Sequence, residues 1–196
     1  SQTSLLLALR FGLLEERHVP TAVQALVDDI GKRGWKLSAG FVGSPYLCRT
    51  LDEGGRLDVA YRLLHQKGWP SFLYAVTQGA TTIWERWDGW TEDKGFQDTG
   101  MNSFNHYAYG AVGAWMMDTV AGIRLGRDGF TIRPRPGGEL GRVSATIDGP
   151  RGRVTSSWKR VGEGFAYRIE VGPGVRARLD LPGREPSEIG PGVHEF

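Results

Sequence analysis

The chain has 196 residues, 40% hydrophobic and 23% charged, with a formal net charge of +2, the composition of an ordinary globular protein with apolar residues for one good core or two small ones. Before Arg124 there are 11 basic against 13 acidic residues and from it onward 13 against 9; the tail arginines (Arg142, Arg151, Arg153, Arg160, Arg168, Arg176 and Arg178) stand singly between apolar residues, so composition argues against a nucleic-acid partner. Cys48 is the only cysteine, which excludes an internal disulfide and a thiolate metal site, and no apolar run approaches the roughly 18 residues of a membrane-spanning helix, which argues against a membrane partner.

In chain order, the first two thirds read as helices. Thr3 to Phe11 is one, with Gly12 just past its end, so the chain reads as opening inside a helix. Pro20 suits a first helical position, and Ala22, Leu26, Val27 and Ile30 keep a helical spacing up to Gly34. A third helix follows Ser44-Pro45 to about Leu51, a fourth spans about Leu57 to Gln66, a fifth Pro70 to Gln78, and a sixth about Phe104 to Val120. Six helices make three hairpins, and glycines leave short connections between most of them. One connection is different: the 25 residues from Gly79 to Ser103 hold Trp84, Trp87, Trp90, Phe96 and five acidic side chains. A loop of that length in a compact domain is usually functional or disordered, and so aromatic a loop is not expected to be disordered.

From Arg124 the hydrophobic period changes to two. Val143, Ala145 and Ile147, then Val154, Ser156 and Trp158, then Phe165, Tyr167 and Ile169, then Val175, Ala177, Leu179 and Leu181 alternate with other residues, and Gly- and Pro-containing turns separate the runs. The expected fold is therefore helical hairpins over residues 1–123 followed by a small antiparallel β-sandwich over 124–196.

The chemistry-bearing candidates lie in the long loop and just after it. In Trp84-Glu85-Arg86-Trp87 a carboxylate stands between two indoles with a guanidinium beside it. The indoles would raise the Glu85 carboxyl pKa by desolvation and the guanidinium would lower it, and the residues leave the balance open. Flat aromatic faces around a carboxylate suit a sugar, with the indoles covering apolar ring faces and the carboxylate activating water. The alternative is a surface ion pair of Glu85 and Arg86 over core tryptophans. In Met101-Asn102-Ser103-Phe104-Asn105-His106-Tyr107, Asn102 or Ser103 reads as a helix cap, with Asn105 and His106 in the first turn, placed either to meet a sugar hydroxyl or to satisfy loop backbone. Glu85 and His106 lack further partners at metal-ligand spacing, so neither a metal nor a cofactor is expected. Gly40 to Tyr46 reads as a simple helix connection ahead of the alternative, a backbone turn at the same end of the bundle as the long loop, and Cys48 as a small buried apolar residue.

Several stretches together carry a family resemblance: Gln2-Thr3, Gly40 to Leu47, Asp58 to Leu64, Gly68-Trp69-Pro70-Ser71, Gly79-Ala80-Thr81-Thr82-Ile83-Trp84-Glu85, Met101 to Tyr107, and Val120-Ala121-Gly122-Ile123. In combination they resemble the bacterial α-L-rhamnosidases, and the tail with Ser156-Ser157-Trp158 is similar to that family's closing β-domain. The resemblance implies part of an (α/α)6 barrel followed by a β-sandwich, and hydrolysis of terminal α-L-rhamnose in glycosides and polysaccharides with inversion. It implies Glu85 as general base and His106 as a rhamnose contact; Trp84, Trp87 and Asn105 are candidate binding residues beside them on the reading of their chemistry given above. The family's general acid lies in an acidic, Arg-containing motif of the first half of the barrel, and no such motif is present here. The expectation is thus a C-terminal portion, inactive alone, whose partners are rhamnose-bearing saccharides, the preceding part of the same enzyme, and further copies of itself. Two other readings stay open: a non-catalytic carbohydrate-binding or assembly module, and a different (α/α)-barrel carbohydrate enzyme.

Overall fold

Ser1 opens the first helix, α1 (Gln2–Arg10), by accepting the Ser4 N–H on its side chain at 3.2 Å. A computed structural model describes residues 1–196 and divides them into two units, Ser1–Val112 and Gly113–Phe196.

In the first unit, α1 and α2 (Val19–Lys32) pack as one hairpin, and α3 (Ser44–Glu53) and α4 (Leu57–Leu64) as a second. Their apolar stripes face one another: Leu6, Leu26, Ile30, Leu47, Leu51 and Leu63 are buried completely. Burial of that kind stabilises the fold by roughly 1.5–3 kcal/mol per side chain. Gln2 is buried with them, donating from Nε2 to the Lys36 carbonyl at 3.3 Å and accepting the Ser38 N–H on Oε1 at 2.9 Å. The opening turn of α1 thereby fixes the segment that leads into Gly40 to Gly43. Cys48 is wholly buried and burial pushes its thiol up to about 12, which leaves it inert.

The last two helices depart from expectation. Only Tyr74–Thr77 is helical in the fifth (α5), because the Pro70 carbonyl, which a longer helix would use, instead accepts from Leu37 N–H at 3.4 Å. The sixth does not begin at Phe104; it is a 3-10 turn at Ala108–Ala111, an α-helical turn at Val112–Trp115 (α6), and a π-helical turn at Met116–Val120 closed by Ala121 N–H on Met116 O at 2.8 Å. The long connection carries only a minimal hairpin, β1 (Trp90–Thr91) with β2 (Gly95–Phe96).

The second unit holds two four-stranded sheets. Strands β5 (Arg142–Gly149), β6 (Gly152–Val161), β7 (Gly164–Val171) and β10 (Gly192–Glu195) form one, in the order β10-β7-β6-β5 and antiparallel throughout. Strands β3 (Ile123–Gly126), β4 (Gly129–Ile132), β8 (Ala177–Leu179) and β9 (Ser187–Ile189) form the other. Val154, Trp158, Tyr167 and Ile169 from the first sheet and Ile123, Ile132, Ala177 and Leu179 from the second are buried. The sheets are antiparallel as expected in every pair but one: β4 and β8 run parallel. The parallel pair arises because the chain crosses through three strands of the other sheet before returning beside β4, and parallel neighbours need such a crossover. Strands β3, β4, β9 and β10 also lie outside the expected runs, since segments of three or four residues show too few alternations to read. No helix is long and apolar enough to cross a membrane.

Candidate active site

Two backbone hydrogen bonds bring the candidate clusters together. Glu85 N–H donates to Ser103 O and His106 N–H to Ile83 O, both at 2.8 Å, so residues 83–85 and 103–106 run side by side. The Thr82 hydroxyl adds a bond to Phe104 O. The stretch from Phe104 to Tyr107 is not helical because its backbone is committed to this pairing.

The loop between them is closed by Asn102, whose amide donates to Gly89 O at 2.8 Å and Gln97 O at 3.1 Å. A larger residue at Gly89 would press on this closure: a Cβ would meet Asn102 Oδ1 at 2.9 Å and the Phe104 and Trp84 rings at 3.4 Å. Trp84 lies beneath, only 8% exposed and edge-on to Phe104 with ring centroids 5.2 Å apart. It serves as the core of the loop and presents little ring surface.

Glu85 is half-buried, and its Oε2 accepts the Ser103 N–H at 2.6 Å. Oε1 accepts nothing from the protein. The ion pair of Glu85 with Arg86 that the sequence left open does not form. Arg86 instead holds Asp88 with two bonds of 3.0 and 3.3 Å and reaches Asp98 at 3.7 Å. That guanidinium keeps the Asp88 carboxyl below the usual carboxylate range. Ser103 also accepts the Asn105 N–H on its hydroxyl at 3.2 Å, and the Asn105 side chain is exposed.

Trp87 anchors the other side. Its indole N–H donates to Ala39 O at 3.1 Å, one face stacks on Tyr109 at 3.6 Å between centroids, and Phe72 meets it edge-on at 5.4 Å. Phe41 stacks on His106 at 4.8 Å and tilts against Tyr109 at 5.4 Å. Burial, with the nearby Asp88 charge, pushes the Tyr109 hydroxyl up to about 12, so it stays a neutral donor. His106 Nδ1 accepts the Ala108 N–H at 3.3 Å, which makes the histidine, and not Asn102 or Ser103, the group that caps the following turn. In the neutral ring the proton then lies on Nε2, leaving a donor available.

Of the five expected site residues, Trp87 and His106 join through Phe41 and Tyr109, Glu85 and Asn105 join through Ser103, and Trp84 lies under the loop. Sequence reasoning missed Phe41 and Tyr109 and read Gly40 to Tyr46 as a plain connection. An aromatic residue set next to glycines in a tight connection was the available signal.

The chain matches two family profiles. Residues 1–120 match the profile described as the bacterial alpha-L-rhamnosidase 6 hairpin glycosidase domain, and residues 122–195 that of the bacterial alpha-L-rhamnosidase C-terminal domain. It is 43% identical over 192 residues to an alpha-L-rhamnosidase of Streptomyces avermitilis, covering 96% of this chain and 19% of that protein. An alpha-L-rhamnosidase of Formosa agariphila is 42% identical, with 93% of this chain and 20% of that protein covered. The crystal structure of the Streptomyces avermitilis enzyme complexed with L-rhamnose superimposes with a TM-score of 0.93 at 39% identity, over 100% of this chain and 21% of that one. The native Aspergillus terreus enzyme superimposes at 0.91 and 36% identity, over 100% and 24%. The chain therefore spans about a fifth of the length of these relatives.

Proposed function

The chain belongs to the bacterial α-L-rhamnosidase family, and from that premise we propose that it is the base-bearing portion of a glycoside hydrolase that releases terminal α-L-rhamnose with inversion. The observation that carries this reading is the Glu85 carboxylate, with one oxygen held by a backbone N–H at 2.6 Å and the other without a protein partner. A general base needs that asymmetry: an anchored oxygen sets the direction of the second, which takes a proton from water as the water attacks the anomeric carbon. His106 donates from Nε2 to a sugar hydroxyl, Trp87 holds the aromatic group beside it through Tyr109, and Asn105 adds an exposed amide. Trp84 supports the loop from below.

Inversion requires a second carboxyl about 6.5–9.5 Å from the base, protonating the leaving oxygen. Asp88 and Asp98 are committed to Arg86, and Glu92 and Asp93 lie on exposed loop surface. We place the acid, with the remaining hairpins, in a part of the polypeptide other than these 196 residues.

The test is turnover of an aryl α-L-rhamnoside by the intact protein. Glu85→Gln is expected to lower kcat by roughly 10²–10⁴-fold, the usual worth of a general base. Proton NMR of the first-formed sugar is expected to show the β-anomer. A Glu85→Gln variant with wild-type turnover, or α-rhamnose as the initial product, would sink the assignment.

A further inference from the structure

The β5–β6–β7–β10 sheet carries a groove of about 910 Å³, a size that suits a small ligand. Its lining runs across all four strands, and its charges are unbalanced. Arg168 is neutralised by Glu170 and by Glu195, the latter at 3.4 Å. Arg142 and Lys159 are not: they stand directly opposite one another in the β5–β6 register, both exposed, with no carboxylate within ion-pair distance of either. Like charges facing across an antiparallel pair destabilise it, so an anion between them would be favoured. One step along the same face, Ser144 and Ser157 are also paired in register and share a hydrogen bond of 2.8 Å, offering hydroxyls beside the cations.

We propose that this groove binds a carboxylate-bearing saccharide, its uronate set between Arg142 and Lys159 and its ring hydroxyls against Ser144 and Ser157. The saccharide class rests on the rhamnosidase reading above; the anion chemistry rests on the groove alone. A site of this kind would hold an acidic saccharide by contacts separate from Glu85.

The experiment is calorimetric titration of the intact protein with tetragalacturonate, with its fully methyl-esterified form, and with inorganic sulfate, alongside turnover of a small aryl α-L-rhamnoside. Tetragalacturonate is expected to bind at least about tenfold more tightly than the ester and to weaken as salt is raised. Arg142→Ala with Lys159→Ala is expected to raise its Kd about tenfold or more, the loss of two charge-assisted contacts. Turnover should be unchanged in that variant. Lys159→Glu, which pairs with Arg142 and keeps the strand contact favourable, is expected to abolish binding. Equal affinity for acid and ester, unchanged affinity in the variants, no binding by the wild type, or displacement by equimolar sulfate would each overturn the proposal. Loss of turnover in the wild type would instead count against the rhamnosidase reading and leave the binding result interpretable.

Discussion

Glu85 and Asp88 are three residues apart in one loop, yet their surroundings give them opposite roles. Glu85 is held by a single backbone N–H and keeps an unpartnered oxygen, whereas both oxygens of Asp88 are bound by Arg86. Because the folded pKa of Asp88 is depressed, its contribution to stability is present above the unfolded value of about 3.9 and disappears as pH falls through the lower folded value. Asp88→Asn should therefore lower the melting temperature at neutral pH and flatten its decline below about pH 4. Parallel melting curves for the two proteins across that range would show that the Arg86 pair adds nothing. For His106, the bond from Ala108 N–H leaves Nε2 as the outward donor, so His106→Ala should raise KM for an aryl rhamnoside more than it lowers kcat. The reverse split would move His106 from binding to chemistry. The type and position of these residues were legible in sequence; the partner of Arg86 was not, since Glu85, Asp88 and Asp98 are all close enough in the chain to have taken it.

Helices α1 to α4 lie within about two residues of their expected ends, because each buries a stripe whose spacing is visible locally. The fifth and sixth were overestimated for a physical reason: Pro70 O and the backbone of residues 103–106 bond to distant segments, and a helix cannot use the same groups. Between the last helical turn and the first strand, Gly122 adopts φ +76° while its carbonyl accepts the Arg133 N–H at 2.7 Å, and a Cβ there would lie 2.1 Å from Pro134 N. Gly122→Ala is accordingly expected to cost roughly 3 kcal/mol or more, read by chemical denaturation. Two buried side chains of β6 secure the same junction: Trp158 donates to Val120 O at 2.7 Å and Ser156 to Ala121 O at 2.6 Å. Ser156→Ala leaves that carbonyl unpaired in the interior and should cost about 1–3 kcal/mol. A loss below the error of the measurement would mean that water replaces the hydroxyl.

At the scale of the molecule, the helical unit exposes Phe11 at 59%, Leu13 at 71%, Val42 at 61%, Val76 at 60% and Tyr107 at 84%. If these side chains form a contiguous patch, such a surface favours association with other protein. The 196-residue chain by itself is thus expected to self-associate in size-exclusion chromatography and to show negligible turnover of an aryl α-L-rhamnoside. A clean monomer with the activity of the intact protein would overturn the placement of the acid outside it. What the sequence determined without help is local: helical and strand periods, the turn glycines, one carboxylate between two indoles, and the motifs that carry the family. What only the tertiary structure decided is the meeting of residues far apart in the chain. Ala39 and Phe41 reach Trp87 and His106 across more than forty positions, Ser103 turns its N–H to Glu85, and β8 lies parallel beside β4. Period and composition report which face of a segment is apolar; they carry no record of which distant backbone group that segment will meet, and that meeting sets the geometry of the site.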